Sequence, residues 1–281
     1  MIKNIVFSNL LVALSASFLF STSCLFFDLK ILNELVMIVF FSTFSVYNLI
    51  SLKSANNMID ERREWILNYY NFIKMSTLLT TIFSIFLIIK LNLFTFLSPV
   101  IFLSLLYNYP KIKLLNFEKN QFFHPKKNLR EIPFLKIFII VFCWTYLTYL
   151  FPIFYNDLNL DINVIIHLII RALFLFSIAI NFDIRDKESD LIVTIPTFLG
   201  QKKSKILSCS LLLICEFLAL YLFMFHSLNF LYFLALYLTF EIGLILTYFI
   251  NKNSKELYFS FYIECLSILM FILVYIATII F

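Results

Sequence analysis

Glycine is nearly missing from this chain: only Gly200 and Gly243 occur in 281 residues. Close helix packing built on glycine therefore plays little part. Charge is scarce as well. Only 14% of residues are Asp, Glu, Lys or Arg, against about 25% in an average soluble domain. A soluble class is excluded, and the mean hydropathy of +0.94 points to a polytopic membrane protein. No CxxC pair is present, and all five cysteines lie in apolar runs. They read as small buried hydrophobes, not as disulfides or metal ligands. Lys3, an apolar run and "SAS" at 15–17 imitate a signal peptide, but the run continues to Phe27 and reads as a retained first span.

What is present in quantity is hydrophobic sequence of membrane-crossing length. A span needs about 20 mostly apolar residues. Candidates lie near 5–27, 31–51, 75–91, 94–110, 134–154, 162–182, 204–226, 228–250 and 257–280. All nine should be helices, because backbone polar groups in lipid must satisfy one another. The expected fold is all-α: one domain, 1–281, a nine-helix bundle around a central chamber.

Positive charge is scarce in alternate loops. Nineteen of the 22 Lys and Arg fall on one side; Lys30 and Lys90 fall on the other, and Arg171 lies within a span. The basic side marks the cytoplasm. The expected location is the inner membrane, with the N-terminus cytoplasmic and the C-terminus outside. The long polar loops 52–74, 111–133 and 183–203 share the basic side, so chemistry on charged ligands belongs there.

One of these loops opens with "NFDIRDKESD" (181–190). If the helix continues, Asp183, Asp186 and Asp190 fall within an arc of roughly 60°. Asp186 and Asp190, at i and i+4, repel in a purely structural helix. Magnesium reverses that sign, since it prefers oxygen ligands and shares them with substrate phosphates. On this reading Arg185 points away and Lys187 lies near the acidic face. The bland alternative is a solvated loop capping a membrane helix.

"NFDIRDKESD" followed by "LIVTIPTFLG" resembles the second aspartate motif of the UbiA superfamily of intramembrane prenyltransferases, its quinone-type branch above all. The motif's place after the sixth span, "LYNYPKIK" (106–113) after the fourth and "LREIPFLKIFIIVFCW" (129–144) extend the likeness. The resemblance implies magnesium-dependent transfer of a prenyl group from an isoprenyl diphosphate to a lipophilic acceptor, aromatic and quinone-precursor-like, in the lipid bilayer. Asp183, Asp186 and Asp190 would be metal ligands and catalytic residues, and Lys111, Lys113 and Arg130 would bind diphosphate, with Lys136 a further candidate. Neither nucleic acid nor an obligate protein partner is inferred.

The first motif departs from the family. In "YNLISLKSANNMIDERREW" (47–65) Asn48 matches the leading Asn, but Leu49, Leu52 and Asn56 stand at the acidic positions. Asn48 is kept as a site candidate against an ordinary helix-capping role. Asp60 and Glu64 would be either displaced ligands or an exposed charged helix face with Arg62 and Arg63. The alternative function is a non-catalytic lipid- or quinone-binding protein of the same fold. A transporter would spread carboxylates through the bilayer. The CDP-alcohol phosphotransferases, which need glycines beside their aspartates, are discounted. Within the spans, Arg171 should pair with Glu216, Glu241 or Glu264, because intramembrane charge is costly. His167 reads as an interfacial residue.

Overall fold

A computed structural model of the chain describes residues 2–54, 61–108, 132–188, 192–226, 228–251 and 254–280. Among them every regular element is a helix. The helices are α1 (Ile2–Phe7), α2 (Leu10–Phe26), α3 (Asn33–Ser54), α4 (Glu61–Asn68), α5 (Tyr70–Lys90), α6 (Phe94–Asn108), α7 (Leu135–Thr145), α8 (Phe151–Tyr155), α9 (Ile162–Arg185), α10 (Ile195–Leu199), α11 (Gln201–Phe225), α12 (Phe230–Phe249) and α13 (Glu264–Ile280). Seven helical stretches are long and apolar enough to cross a membrane. Two shorter apolar helices, Leu10–Phe26 and Phe94–Tyr107, stand where the first and fourth spans were expected. The outward face of α5 suits lipid, with Phe72, Leu79, Ile82, Phe86 and Ile89 exposed.

The first expected span is broken. Ser8 and Asn9 separate α1 from α2, and Asn9 adopts φ 59°. Asn tolerates that left-handed conformation better than most residues, and its amide is drawn into the bundle. The remaining seventeen residues of α2 are about 25 Å long. Asn92, at φ 54°, makes the sharp turn between α5 and α6. The two spans separated in sequence by only Lys90–Asn92 are therefore distinct helices.

The fifth span bends without ending. A π-helical turn at Tyr146–Leu150 joins α7 to α8, with Pro152 in the first turn of α8. Proline has no N–H and frees the carbonyl four residues before it. That carbonyl belongs to Thr148, and the Ser23 hydroxyl of α2 donates to it at 2.8 Å. A second π turn, Tyr258–Ile263, precedes α13.

One large apolar core joins α9, α11, α12 and α13, including Phe174, Leu212, Phe240 and Met270. A second joins α2, α3, α5 and α6 through Phe20, Ile38, Leu87 and Leu97. Hydrogen bonds at the two ends show helices running in opposite directions. Lys205 near the start of α11 donates to the Tyr248 and Ile250 carbonyls at the end of α12, at 2.5 and 2.7 Å. At the other end, Tyr232 early in α12 donates to Leu25 late in α2. The C-terminus of α9 thus shares its end of the bundle with the starts of α2, α7 and α13 and the end of α3.

Candidate functional site

Helix α9 begins at an N-cap, where Asp161 accepts from the Val164 amide at 2.8 Å. It ends at Arg185, three residues beyond the expected boundary. Asp183 therefore lies in its last turn and is 5% exposed. Asp186 has φ −83° and ψ 1° and opens a short 3-10 turn, Asp186–Glu188. Asp183 and Asp186 thus do not share one continuing α-helical face as the spacing predicted. The helix stops at Arg185, whose side chain turns onto its neighbour: Nε donates to Asp186 Oδ1 at 2.6 Å and a terminal nitrogen to Oδ2 at 3.0 Å. Arg185 thus faces the acidic group, contrary to expectation. It also donates to the Ser260 hydroxyl at 2.8 Å, and its guanidinium lies 4.9 Å from the Phe182 ring centre.

Asp183 is held by a different cation. Lys136 Nζ lies 2.9 Å from its Oδ1, with side-chain exposures of 10% and 7%. Both ions are out of bulk solvent, so this geometry must repay a substantial desolvation cost. Lys136 entered the sequence reading only as one basic residue among several; position alone did not reveal its carboxylate.

Burial acts to raise the Asp186 pKa, but the adjacent Arg185 guanidinium, Lys136 and Arg62 together outweigh it. The net result holds Asp186 below the usual carboxylate range. A depressed folded-state pKa contributes stability above the ordinary value, and this is lost as pH falls through the lowered one. Thermal unfolding should show no Asp186 contribution to pH dependence between pH 8 and 5. Stability should fall below about pH 4, and Asp186→Asn should flatten that acid limb; an unchanged limb would contradict the pairing.

The region of the first motif forms a neutral network with one cation in it. Asn48 is 1% exposed. It accepts from Asn9 Nδ2 at 2.9 Å and donates to the Ser8 carbonyl at 3.1 Å. Asn9 also donates to Ser51 at 3.1 Å, and Arg62 donates to Asn9 Oδ1 at 2.6 Å. Arg62 further approaches Glu256 at 3.5 Å and lies within electrostatic range of Asp186. Asn48 here spans the α1–α2 break and does not cap a helix. Asn48→Leu should cost about 1–3 kcal/mol by leaving buried polar partners unsatisfied. Thermal unfolding in detergent measures this, and a neutral result would exclude the network as a support.

Glu61 and Glu64 lie on an exposed face of α4. Glu61 pairs with Lys3 at 2.6 Å, and that contact lowers its pKa. Glu264, an expected partner of Arg171, is instead 4% exposed within electrostatic range of Arg185 and Tyr47. Tyr47 accepts from Trp144 Nε1 at 2.7 Å. Asp190, Lys111, Lys113, Arg130, Asn56 and Asp60 lie outside the described residues.

Among the described residues no group of three or more His, Cys, Asp or Glu converges. Asp183 faces Lys136, Asp186 faces Arg185, and the Asn48 amide oxygen accepts from Asn9. As arranged, Asp183 and Asp186 are each turned toward a protein cation, and Asp190, the third residue of the donor set that the resemblance implies, lies outside the described residues. What the arrangement offers is a set of fixed cations, Lys136, Arg185 and Arg62, oriented by carboxylates at one end of an apolar bundle. Comparison with family models, curated proteins and solved structures gave no match.

Proposed function

We propose that the chain is a UbiA-like prenyltransferase, moving a prenyl group from an isoprenyl diphosphate to a lipophilic aromatic acceptor. The observation that carries this reading is the convergence of Lys136, Arg185 and Arg62 on Asp183 and Asp186 at the end of α9. In the reaction the allylic C–O bond breaks and diphosphate leaves with the electron pair. The carbocation alkylates an acceptor carbon, which then loses its proton. Fixed cations stabilise charge developing on the leaving group. Aromatic faces stabilise a cation, and Phe182 already carries one. An apolar chamber keeps water from the cation.

The same proposal includes nine spans, counting the two shorter apolar helices, with the α9 C-terminus at the cytoplasmic face of the inner membrane. The described basic residues Lys3, Lys53, Arg62, Lys136, Arg185 and Lys205 support that orientation, since the elements carrying them share one end of the bundle. A second reading is favoured by one observation: the carboxylates already have protein cations and the Asn48 amide is engaged. It is a non-catalytic protein of the same fold that binds a lipid or quinone.

Purified protein incubated with labelled prenyl diphosphates and a membrane lipid extract separates the two. The assay is run with magnesium and again with a chelator. Diphosphate release coupled to a prenylated lipid supports the enzyme. Lipid binding without release in either arm supports the second reading.

A further inference from the structure

Arg171 and His167 point to a second polar site, remote from the α9 C-terminus and independent of the proposed activity. Arg171 lies fourteen residues before Arg185 on α9, about 21 Å along the helix. It is 3% exposed. Its expected acidic partner does not exist among the described residues. One terminal nitrogen donates to the Leu19 carbonyl at 2.9 Å and to Thr148 Oγ1 at 3.5 Å, and the other donates to Ser23 Oγ at 3.2 Å. All three acceptors are neutral. A guanidinium has five N–H donors, so two lack an acceptor among the described residues.

One turn earlier, His167 is 7% exposed, packed inside the bundle near the start of α9. Its ring lies between Phe26 and Phe27, with centroids 4.8 and 5.5 Å away. Neither ring nitrogen has a hydrogen-bond partner among the described residues. Both side chains border one cavity, lined also by Phe26, Tyr149, Ile170, Leu236 and Met270. The nearby Tyr149 hydroxyl is occupied, donating to the Val164 carbonyl at 2.7 Å. The nearest acid on the same helix, Asp161, is occupied at the N-cap.

We propose that this cavity binds one monatomic, monovalent anion of chloride size between Arg171 and His167. Its volume of about 10 Å³ admits a single small particle, and a halide, larger than water, seats there with a small outward shift of the lining side chains. Carboxylated lipids and phosphates are too large. A water molecule accepts the same hydrogen bonds but leaves a buried guanidinium uncompensated, and an uncompensated buried charge is strongly disfavoured. A halide accepts from Arg171 and from the protonated nitrogen of His167, and cancels the charge. The Pro152 kink supplies the frame: Ser23, held by the freed Thr148 carbonyl, fixes one edge of the guanidinium.

Crystals of the full chain grown in sodium bromide test this directly. An anomalous bromine peak in the cavity is expected. A cavity without one, dry or holding water, overturns the site. In solution, exchanging gluconate for chloride at constant ionic strength should raise the unfolding temperature with a saturable dependence. His167→Phe keeps the cation and should raise the half-saturating chloride concentration at least tenfold. The same half-saturation in wild type and His167→Phe would overturn the proposal, since the ion would then bind elsewhere. Prenyl transfer has no part in either readout, so the site and the proposed activity can fail separately.

Discussion

Asp186→Asn should lower prenyl transfer by about 10²–10³-fold in kcat, the scale seen when one preorganised electrostatic group is removed from a reacting centre. Asp186 grips Arg185 through both oxygens at 2.6 and 3.0 Å. The amide keeps the shape but loses the charge and one acceptor, so Arg185 is no longer anchored where the leaving diphosphate develops charge. KM should change less than kcat, because on the proposed reaction the loss falls on charge that develops only in the transition state. Asp186→Glu should recover part of the rate if anchoring is the role. Titrating magnesium in wild type and variant separates a rival role. A variant that regains wild-type rate at high magnesium would make Asp186 a metal ligand and not the Arg185 anchor. Transfer unchanged in Asp186→Asn would remove the site from the reaction altogether.

Lys136→Met should destabilise the fold by about 3–5 kcal/mol, because it leaves the Asp183 carboxylate buried without its cation. That corresponds to a fall in unfolding temperature on the order of 10 °C. The pair is closed at 2.9 Å with both side chains nearly out of solvent, so screening by water cannot absorb the loss. The double variant Lys136→Met, Asp183→Leu should recover most of the stability. Well-packed apolar replacements for a buried ion pair are often neutral or better. Recovery in the double variant distinguishes a broken ion pair from general damage at the start of α7. A Lys136→Met protein as stable as wild type would show that the pair is not formed.

The two effects come from the same few residues but are read differently. Asp183 and Lys136 settle how α7 docks on the end of α9, a matter of stability. Asp186 and Arg185 settle where a cation points, a matter of chemistry. A rate loss in Asp186→Asn without loss of unfolding temperature would keep those roles apart.

Much of this was legible in the sequence, because membrane-spanning helices follow from composition. Low charge and long apolar runs demand helices, since the lipid interior offers no partner for backbone N–H and C=O groups. The acidic cluster at 183–190 and its position after a long span were visible for the same reason: charge stands out in an apolar chain. Asn48 also stood out as a polar residue near the end of a helix.

The partners of these groups were not legible. Sequence spacing reports which residues share a helix face, but ion pairs between helices depend on how two helices are rotated and crossed. Asp183 meets Lys136 across 47 positions, and Arg62 meets Asn9 across 53. The spacing argument for three aligned aspartates assumed a continuing helix, and the structure ends it at Arg185, where the chain passes into a 3-10 turn. Arg171 shows the same limit from the other side. Its cost in an apolar span was evident, and an acid was the natural partner to expect. Instead the Pro152 kink freed a carbonyl, Ser23 took it up, and neutral oxygens from α2 and the π turn surround the guanidinium. The sequence by itself determined a helical, membrane-competent chain with its acidic motif at the end of one long span. Which charges meet was decided only by tertiary packing, because that depends on distances between helices and not along them.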